Sequence, residues 1–400
     1  MPSPRIVNLN FLRATFRRPS SRGVGIEPKK SVAPLRFFIA NGSPIAMTTR
    51  YRCAHLSEQL GILGHESAMV DWWDETKVDA EAPLHFDVIV LYRLMMSPAL
   101  ARLISAAQRL GKPVIFDTDD LIFEPELIGA HRAVSALSAA DQELHARGVQ
   151  RYLETLLACD CVITSTPFLA ELVRRRGKRA FVHRNALGTD MLAWSDQLRA
   201  ARPARTLDRV VIGYGCGTHT HDVDFLEAAG ALEQILQRFR QAELWLAGPL
   251  TVPSGLENFG TQIRRFPLAD WRGWFELESR MDLALAPLEL GNDFCRAKSE
   301  VKFVEAGALG VPTVASRIDP YQDAITEGRD GLLVAREDEW VAALSSLIEE
   351  AERARALGAA ARATILQRYS PGARAADLAA ILPALINAGT LPHARLAMAE

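Results

Sequence analysis

The sequence has few cysteines and no long apolar run. Its 5 cysteines are an odd number, and Cys159 and Cys161 have neither the spacing nor the second pair of a zinc site. No run reaches the roughly 18 apolar residues that a spanning helix needs, because Arg93 interrupts the apolar stretch that begins at Phe86. These absences exclude a disulfide scaffold. With no secretion signal, they predict a chain of the reducing cytoplasm that does not cross a membrane.

Net charge is almost absent as well. The 46 Lys and Arg residues nearly balance the 48 Asp and Glu residues, which leaves a formal charge of -2. No broad positive field is present to collect nucleic acid, so nucleic acid is not an expected partner and any anion site must be local. With 48% hydrophobic and 24% charged residues the chain is globular. Its 400 residues suit two domains.

Residues 1–34 differ from the rest in composition. Basic side chains are frequent there, and Glu27 is the only acid. We expect a basic, flexible N-terminal segment. A disordered tail is the favoured interpretation. The alternative is a short interfacial helix that gives peripheral contact with an anionic membrane at the inner face of the cell.

From Leu35 onward, short apolar runs alternate with longer amphipathic stretches, which is typical of βαβ units and parallel sheets. The pattern predicts an α/β protein with two doubly wound domains, at 35–200 and 205–370, joined by a polar linker at Ser195–Leu207. Residues 371–400 form a helical tail that is expected to cross back to the first domain. Two such domains enclose a cleft, and ligands bind where the parallel strands end. Strands are predicted at Leu35–Ala40, Phe86–Leu91, Pro113–Phe116, Cys161–Thr164, Ala180–His183, Arg209–Gly213, Glu243–Ala247, Met281–Ala286, Pro312–Ala315 and Leu332–Ala335.

A glycine-rich turn lies between a predicted strand and a predicted helix in the second domain. Glycines let a backbone approach a phosphate, and a helix start offers free N–H groups. Taken alone, the turn is equally compatible with a tight connection that binds nothing. The candidate donor-binding residues in it are Gly215, Gly217, Thr218 and His219.

A second group of candidates surrounds the helix predicted from Ser299, which we expect to cap that helix. Lys298 and Lys302 supply positive charge suited to a diphosphate at a helix start. Glu305, one turn further, suits the paired hydroxyls of a ribose. The alternative for Lys302 and Glu305 is a solvated salt bridge that contributes little.

The run Asp117-Thr-Asp119-Asp120 ends a predicted strand. Carboxylates at this spacing suit a divalent cation bound through nucleotide phosphates. They equally suit a cap of the next element, or one carboxylate placed in the cleft. A metal site is the least favoured of the three, because helix ends and lysines already neutralise phosphates in a protein with two Rossmann-like domains.

Arg50, Tyr51 and Arg52 open the first long predicted helix. One interpretation is an ordinary exposed helix start. The other is a clamp for an acceptor or a phosphate.

Several of these segments resemble bacterial glycosyltransferases of family 4, in the branch found in surface polysaccharide, O-antigen and rhamnan assembly. The likeness covers about residues 35–370. In the first half it rests on Tyr51-Arg52 and on the run from Gly111 to Asp120. In the second half it rests on the segments Val211–His219, Leu285–Leu288, Lys298–Ala306, Gly310–Ser316, Tyr321 with Ala324-Ile325, and Asp330–Leu333.

This resemblance implies the GT-B fold, with a nucleotide diphosphate sugar bound by the second domain and a lipid-linked or protein-linked glycan acceptor bound by the first. It implies metal-independent transfer, usually with retention, and no cofactor besides the sugar nucleotide. Glu305 matches the family's ribose-binding glutamate, and Lys298 or Lys302 serves the diphosphate. Asp117 takes the place of the family's catalytic histidine, so Asp117 and Lys298 are the catalytic candidates.

One departure from the family pattern motivates other functions. The family has a second glutamate eight positions before Glu305, where this chain has Ala297. A non-catalytic module that binds sugar nucleotides is therefore the alternative to a transferase. A sugar-nucleotide epimerase on the same fold is a third interpretation.

Overall fold

The computed structural model describes residues 33–73, 79–130, 132–202 and 208–390. The expected basic segment at 1–34 lies, apart from its last two residues, outside these ranges. None of the helices in the described ranges combines the length and the apolar character that crossing a bilayer requires.

The first domain is built on a parallel sheet of six strands with the order β2-β1-β3-β4-β5-β6. Its central strands are mainly apolar and are buried along their whole length, because helices cover both faces of the sheet. A π-helical turn at Arg50–Ala54 joins its first two helices. The strands are β1 Arg36–Asn41, β2 Glu66–Asp71, β3 Val88–Tyr92, β4 Val114–Thr118, β5 Cys161–Thr164 and β6 Ala180–Val182, and the helices are α1 Ala46–Thr49, α2 His55–Ile62, α3 Pro98–Arg109, α4 Arg132–Ser135, α5 Ala139–Ala158, α6 Pro167–Arg175 and α7 Thr189–Ala201.

The second domain repeats this plan with the strand order β12-β11-β10-β7-β8-β9, again all parallel. The predicted pair of doubly wound parallel-sheet domains is confirmed. Its strands are β7 Val210–Gly215, β8 Ala242–Ala247, β9 Ile263–Phe266, β10 Leu283–Ala286, β11 Thr313–Ser316 and β12 Leu332–Val334, and its helices are α8 Asp222–Arg238, α9 Trp271–Glu278, α10 Asp293–Ala297, α11 Val301–Ala308, α12 Asp319–Ala324, α13 Glu337–Glu349 and α14 Ala351–Arg368.

The predicted linker at Ser195–Leu207 is wrong in its first half, where α7 continues to Ala201. The sequence looks polar there, but Met191, Trp194 and Leu198 recur at helical spacing and pack against the core of the second domain. Residues 203–207 lie outside the described ranges.

The last helix, α15 at Pro371–Ile386, packs on α2 of the first domain. Leu378, Leu382 and Leu385 enter the same apolar cluster as Phe37 and Ile39 of β1. The chain thus returns to its first domain after completing the second, which ties the two domains together at the side of the cleft.

Candidate functional site

The switch point of the second sheet brings two loops together. β7 and β10 are neighbours in the sheet, yet the chain leaves them in opposite directions, and such a point leaves a crevice beyond the strand ends. The backbone N–H of Glu289, in the loop after β10, donates to Asp224 at the start of α8, at 3.3 Å. The Lys302 ammonium on α11 donates to the carbonyl of Gly215 at the end of β7. Both loops therefore line the same crevice.

Loops of the first domain lie against this crevice. Asp120, which follows β4, has a carboxylate oxygen 3.6 Å from the Lys298 ammonium. Asn185, which follows β6, donates its amide to the Ser299 hydroxyl at 2.9 Å. Ala297 is fully buried in an apolar cluster of the first domain. The segment at 297–299 thus sits at the contact between the two domains.

The glycine-rich turn is open to solvent. Gly217, Thr218 and His219 are exposed, and a side chain at Gly217 would meet nothing within 4 Å. Gly215 is different, because a Cβ atom there would lie 2.4 Å from the Trp274 ring. The turn therefore offers free backbone at its tip, and the indole of Trp274 lies across its base.

Lys302 is half-buried and not part of a solvated face. Its ammonium, besides donating to Gly215, lies 4.6 Å from the centre of the Tyr214 ring. Burial lowers the pKa of Lys302 below its ordinary value, against the charge of Glu305. The interpretation of Lys302 and Glu305 as a solvated salt bridge is wrong, because α9 and the first domain cover this side of α11.

Glu305 is only 7% exposed, and both of its carboxylate oxygens accept hydrogen bonds. One accepts from the hydroxyl of Tyr51 in the first domain, and the other accepts from the Trp274 indole N–H at 3.1 Å. Burial raises the pKa of Glu305, although the bond from Tyr51, the charge of Lys302 and the bond from Trp274 oppose the shift. Glu305, which the sequence predicts to bind a ribose, therefore has both of its oxygens hydrogen-bonded to protein donors in this arrangement.

A second buried carboxylate, Glu278 at the end of α9, was not predicted from the sequence. It is 2% exposed, and its Oε2 atom has no hydrogen-bond partner among the described residues. Burial and the negative charge of Glu305 raise the pKa of Glu278 well above its ordinary value. The two buried glutamates lie near the half-buried Lys302, behind the glycine-rich turn.

Asp117 does not face an open cleft, which corrects the expectation that its carboxylate is exposed to the reacting carbon. It is 1% exposed, and its two oxygens accept from Arg52 Nε at 2.8 Å and Arg52 Nη2 at 2.9 Å. Burial raises the pKa of Asp117 and the charge of Arg52 opposes the shift. Both oxygens of Asp117 are therefore engaged by the protein, and a substrate that reached them would have to share them with Arg52 or displace it.

The predicted acceptor clamp at Arg50, Tyr51 and Arg52 is likewise corrected. Arg52 is 2% exposed, and Tyr51 is buried on Glu305. Arg50 is less enclosed, with its guanidinium paired to Asp190 and stacked 4.4 Å from the centre of the Trp271 ring. Arg50 and Tyr51 contact the second domain, whereas Arg52 bonds within the first, and the three do not present a row of free donors to an acceptor.

Ser299 does not cap α11. The helix begins at Val301 with Glu300 as its N-cap residue and no side-chain cap, and the Ser299 hydroxyl accepts from Asn185 instead. Lys298 ends α10, where its ammonium lies 4.2 Å from the Phe294 ring centre and close to Asp120. Its side chain remains 17% exposed.

Arg93 is a further site residue that the sequence did not reveal. Its φ of 47° is the one left-handed value among the non-glycine residues described. The bend places its guanidinium on Asp119, with Arg93 Nε to Asp119 Oδ1 at 2.7 Å. A Cβ atom at Gly42 would lie 2.2 Å from the Arg93 carbonyl oxygen, so Gly42 permits this bend. The sequence does contain a signal for this residue, because Arg93 interrupts an apolar run. That interruption served above only to exclude a spanning helix.

Comparison with known proteins agrees with this architecture. Residues 276–380 match a family described as glycosyl transferase-like. HepE of Anabaena, solved in complex with UDP, superposes with a TM-score of 0.56 at 16% identity, over 88% of this chain and 100% of its own. A glycosyltransferase of Rickettsia africae gives a TM-score of 0.59 at 13% identity, over 89% and 99% of the two chains. Sucrose-phosphate synthase of Thermosynechococcus elongatus gives 0.55 at 15% identity, over 88% and 100%.

No curated protein sequence matches the chain. At the identities found, the solved structures establish the fold alone. That fold is GT-B, with two Rossmann-like domains around a central cleft. The segment that matches the glycosyl transferase-like family contains Lys298, Lys302 and Glu305.

Proposed function

We propose that the protein is a glycosyltransferase that moves a sugar from a nucleotide diphosphate sugar to a glycan acceptor during synthesis of a cell-surface polysaccharide or glycoconjugate. One observation carries the proposal. At the switch point of the second sheet, an open glycine-rich turn, two lysines and a buried carboxylate converge. Phosphates require cations and free N–H groups, and a ribose requires a carboxylate that accepts from its two hydroxyls.

The placement of the lysines supports a diphosphate between them and the turn. Lys302 contacts the carbonyl of Gly215, so its ammonium stands directly behind the turn whose tip is Gly217 and Thr218. Lys298 approaches from the loop that follows β10. A departing diphosphate in this position meets fixed positive charge and helix-start N–H groups, which stabilise charge as it develops in the transition state.

Glu305 must exchange partners when a donor binds. In the closed arrangement its oxygens accept from Tyr51 and Trp274, and the Trp274 ring covers Gly215. A ribose that takes both oxygens has to displace a first-domain residue and an α9 residue together. Donor binding is therefore coupled to separation of Tyr51 from α11, and the acceptor then enters the cleft beside the exposed anomeric carbon.

The finer parts of the proposal come from the family resemblance. Transfer proceeds with retention and without a metal, because Lys298, Lys302 and the start of α8 supply the charge that a cation supplies elsewhere. The acceptor is lipid-linked or protein-linked. The protein works in the cytoplasm, with peripheral contact to the inner face of the membrane.

A panel of labelled nucleotide sugars, incubated with the protein and a membrane extract, tests the proposal. We expect label in a glycan or lipid fraction with at least one donor. Lys298→Ala should remove most of that transfer, and it should weaken binding of the nucleoside diphosphate more than binding of the bare nucleoside. Arg336→Ala is the matched control, because Arg336 is an exposed cation at the start of α13. Equal transfer by both variants would contradict the assignment of Lys298.

A non-catalytic module that binds sugar nucleotides is the second candidate. Two observations favour it: Ala297 stands where the family has a glutamate, and Asp117 is closed by Arg52. Binding without transfer or hydrolysis for every donor in the panel would support the module. Interconversion of a sugar nucleotide in the absence of any acceptor would indicate an epimerase instead.

A further inference from the structure

A histidine and an aspartate form a buried pair at the start of α8. His221 is the residue that precedes the helix, and Asp224 lies in its first turn. The Nδ1 atom of His221 is 2.9 Å from Asp224 Oδ2. Asp224 is 4% exposed, whereas the His221 side chain keeps about a fifth of its surface accessible. The pair is thus anchored at its acidic end and reaches solvent at its imidazole end.

Asp224 is fixed by the other loop of the crevice. Its second oxygen, Oδ1, accepts from the Cys295 thiol at 3.1 Å and from the backbone N–H of Glu289 at 3.3 Å. Both partners follow β10, while His221 follows β7. An aspartate with every oxygen bonded holds the imidazole in one orientation and one tautomer, with hydrogen on Nδ1.

That tautomer leaves Nε2 as the free end of the ring. In the part of the chain that the structure describes, Nε2 of His221 makes no hydrogen bond and stays accessible. The charged groups around the ring are Asp224, Lys298 and Lys302. Burial lowers the pKa of His221 below its ordinary value; the bond to Asp224 opposes this, and the two lysines add to it. The imidazole is therefore neutral near pH 7 while the crevice is empty.

We propose that His221, oriented by Asp224, is a ligand of the donor diphosphate that takes up a proton when the diphosphate binds. This inference rests on the proposed function, because it requires a nucleoside diphosphate in the crevice. The diphosphate brings negative charge next to the ring and to both lysines. A proton from solvent then adds to Nε2, the Nε2–H donates to a phosphate oxygen, and Nδ1–H continues to donate to Asp224. The proton returns to solvent when the diphosphate leaves.

Calorimetric titration of UDP, GDP and dTDP, each in two buffers of different ionisation enthalpy at about pH 7.5, measures this uptake. His221→Asn is the informative variant, since the asparagine amide still donates to Asp224 but has no group that gains a proton. We expect its proton uptake to fall by up to about one per diphosphate, and its affinity to fall about tenfold or more. Affinity for the bare nucleoside should not change. His85→Asn is the control, because His85 is an exposed histidine of the first domain.

The outcomes separate the two proposals. If one of the three diphosphates binds and His221→Asn takes up as many protons as the unmodified protein, the role of His221 is wrong and the proposed function stands. If none of the three binds the unmodified protein, the proposed function itself is contradicted. His221→Gln sharpens the result. Its amide nitrogen falls near the Nε2 position and carries no charge, so it should recover part of the affinity and none of the proton uptake.

Discussion

The loops at the carboxyl ends of the two sheets approach each other, yet they use their polar groups differently. On the first-domain side, Asp117 accepts both guanidinium bonds of Arg52, and Asp119 accepts from Arg93 at 2.7 Å and from the Tyr92 hydroxyl at 2.9 Å. These carboxylates are almost inaccessible. On the second-domain side, the glycine-rich turn is exposed.

This difference indicates which of the two domains has polar groups available to bind a ligand. In a buried ion pair, removing one partner leaves an uncompensated charge, so a ligand that displaced Arg52 from Asp117 would meet a large cost. An exposed turn beside a free imidazole nitrogen still has donors to offer. We therefore expect the loops of the first domain to maintain the shape of the cleft and those of the second domain to bind the ligand.

The largest effect that tests this contrast is expected for Arg52→Ala. The change leaves the Asp117 carboxylate buried without its partner, and also removes the bonds to the His183 carbonyl at 2.7 Å and to Asn185 at 3.2 Å. We expect the free energy of unfolding to fall by about 3–5 kcal/mol, as for other broken buried pairs. Denaturant titration measures it.

Arg36→Ala is the matched control for Arg52→Ala. Arg36 pairs with Asp87 at the surface, where such a pair contributes at most about 1 kcal/mol. A similar loss of stability in the two variants would mean that the first-domain network is no more structural than a surface pair. The contrast between the two edges would then fail.

Glu305→Gln tests the second-domain side of the cleft. We expect it to weaken the binding free energy of the ligand by less than Arg52→Ala lowers the free energy of unfolding. A glutamine accepts from only one ribose hydroxyl, and without charge, so binding of the nucleoside diphosphate should weaken by about 1–3 kcal/mol. The fold should tolerate the change, because Tyr51 and Trp274 still meet a polar group of the same shape. Titration calorimetry measures the affinity. Glu349→Gln, on an exposed carboxylate, is the control, and equal affinities would remove Glu305 from the donor site.

A third test uses pH. Because the pKa of Glu278 is raised in the folded protein, first by burial and then by Glu305, the folded state keeps a proton that the unfolded chain has lost. The stabilising contribution of Glu278 is complete below its ordinary pKa and is lost as pH rises through the raised value. Glu278→Gln cannot ionise, so its free energy of unfolding should exceed that of the unmodified protein by a margin that grows from pH 5 to pH 9.

Denaturant titrations across that pH range supply the measurement. The charges that face Glu278 are Glu305 and Lys302, and both remain in the variant. A margin that stays constant with pH would show that Glu278 titrates as an ordinary surface carboxylate.

The sequence predicted the interior of the fold better than its edges. Interior strands such as β3, and β4 as far as Phe116, are continuous apolar runs, because helices bury both faces. The strands β2 and β9 lie at the sheet edges and contain Glu66, Asp71 and paired arginines, so the search for apolar runs missed them. The helix α7 was mistaken in part for a linker, because its apolar residues are separated by charged ones.

Only those features of the site that depend on residues close together in the sequence could be predicted. The three-residue interval between Lys302 and Glu305 placed them on one side of a helix, but nothing nearby in the chain shows what covers that side. Trp274 and Tyr51 cover that side, and Tyr51 lies 254 positions before Glu305 in the chain. Partners that meet only through the fold cannot be read from a motif, which is why the pairing of Asp117 with Arg52 was not predicted.

The smallest expected effect is that of excess chelator, which should leave transfer unchanged. The Asp117-Thr-Asp119-Asp120 run has the composition of a metal site, but Asp117 is bonded to Arg52, Asp119 to Arg93, and Asp120 lies 3.6 Å from the Lys298 ammonium. A divalent cation would have to displace these cations and would meet their repulsion at close range. Transfer assays with and without chelator, followed by addition of manganese or magnesium, measure the dependence. Loss of transfer that either metal restores would show that the first-domain carboxylates exchange their arginine and lysine partners for a cation during turnover. The first-domain edge would then belong to the ligand site, and the difference between the two edges would disappear.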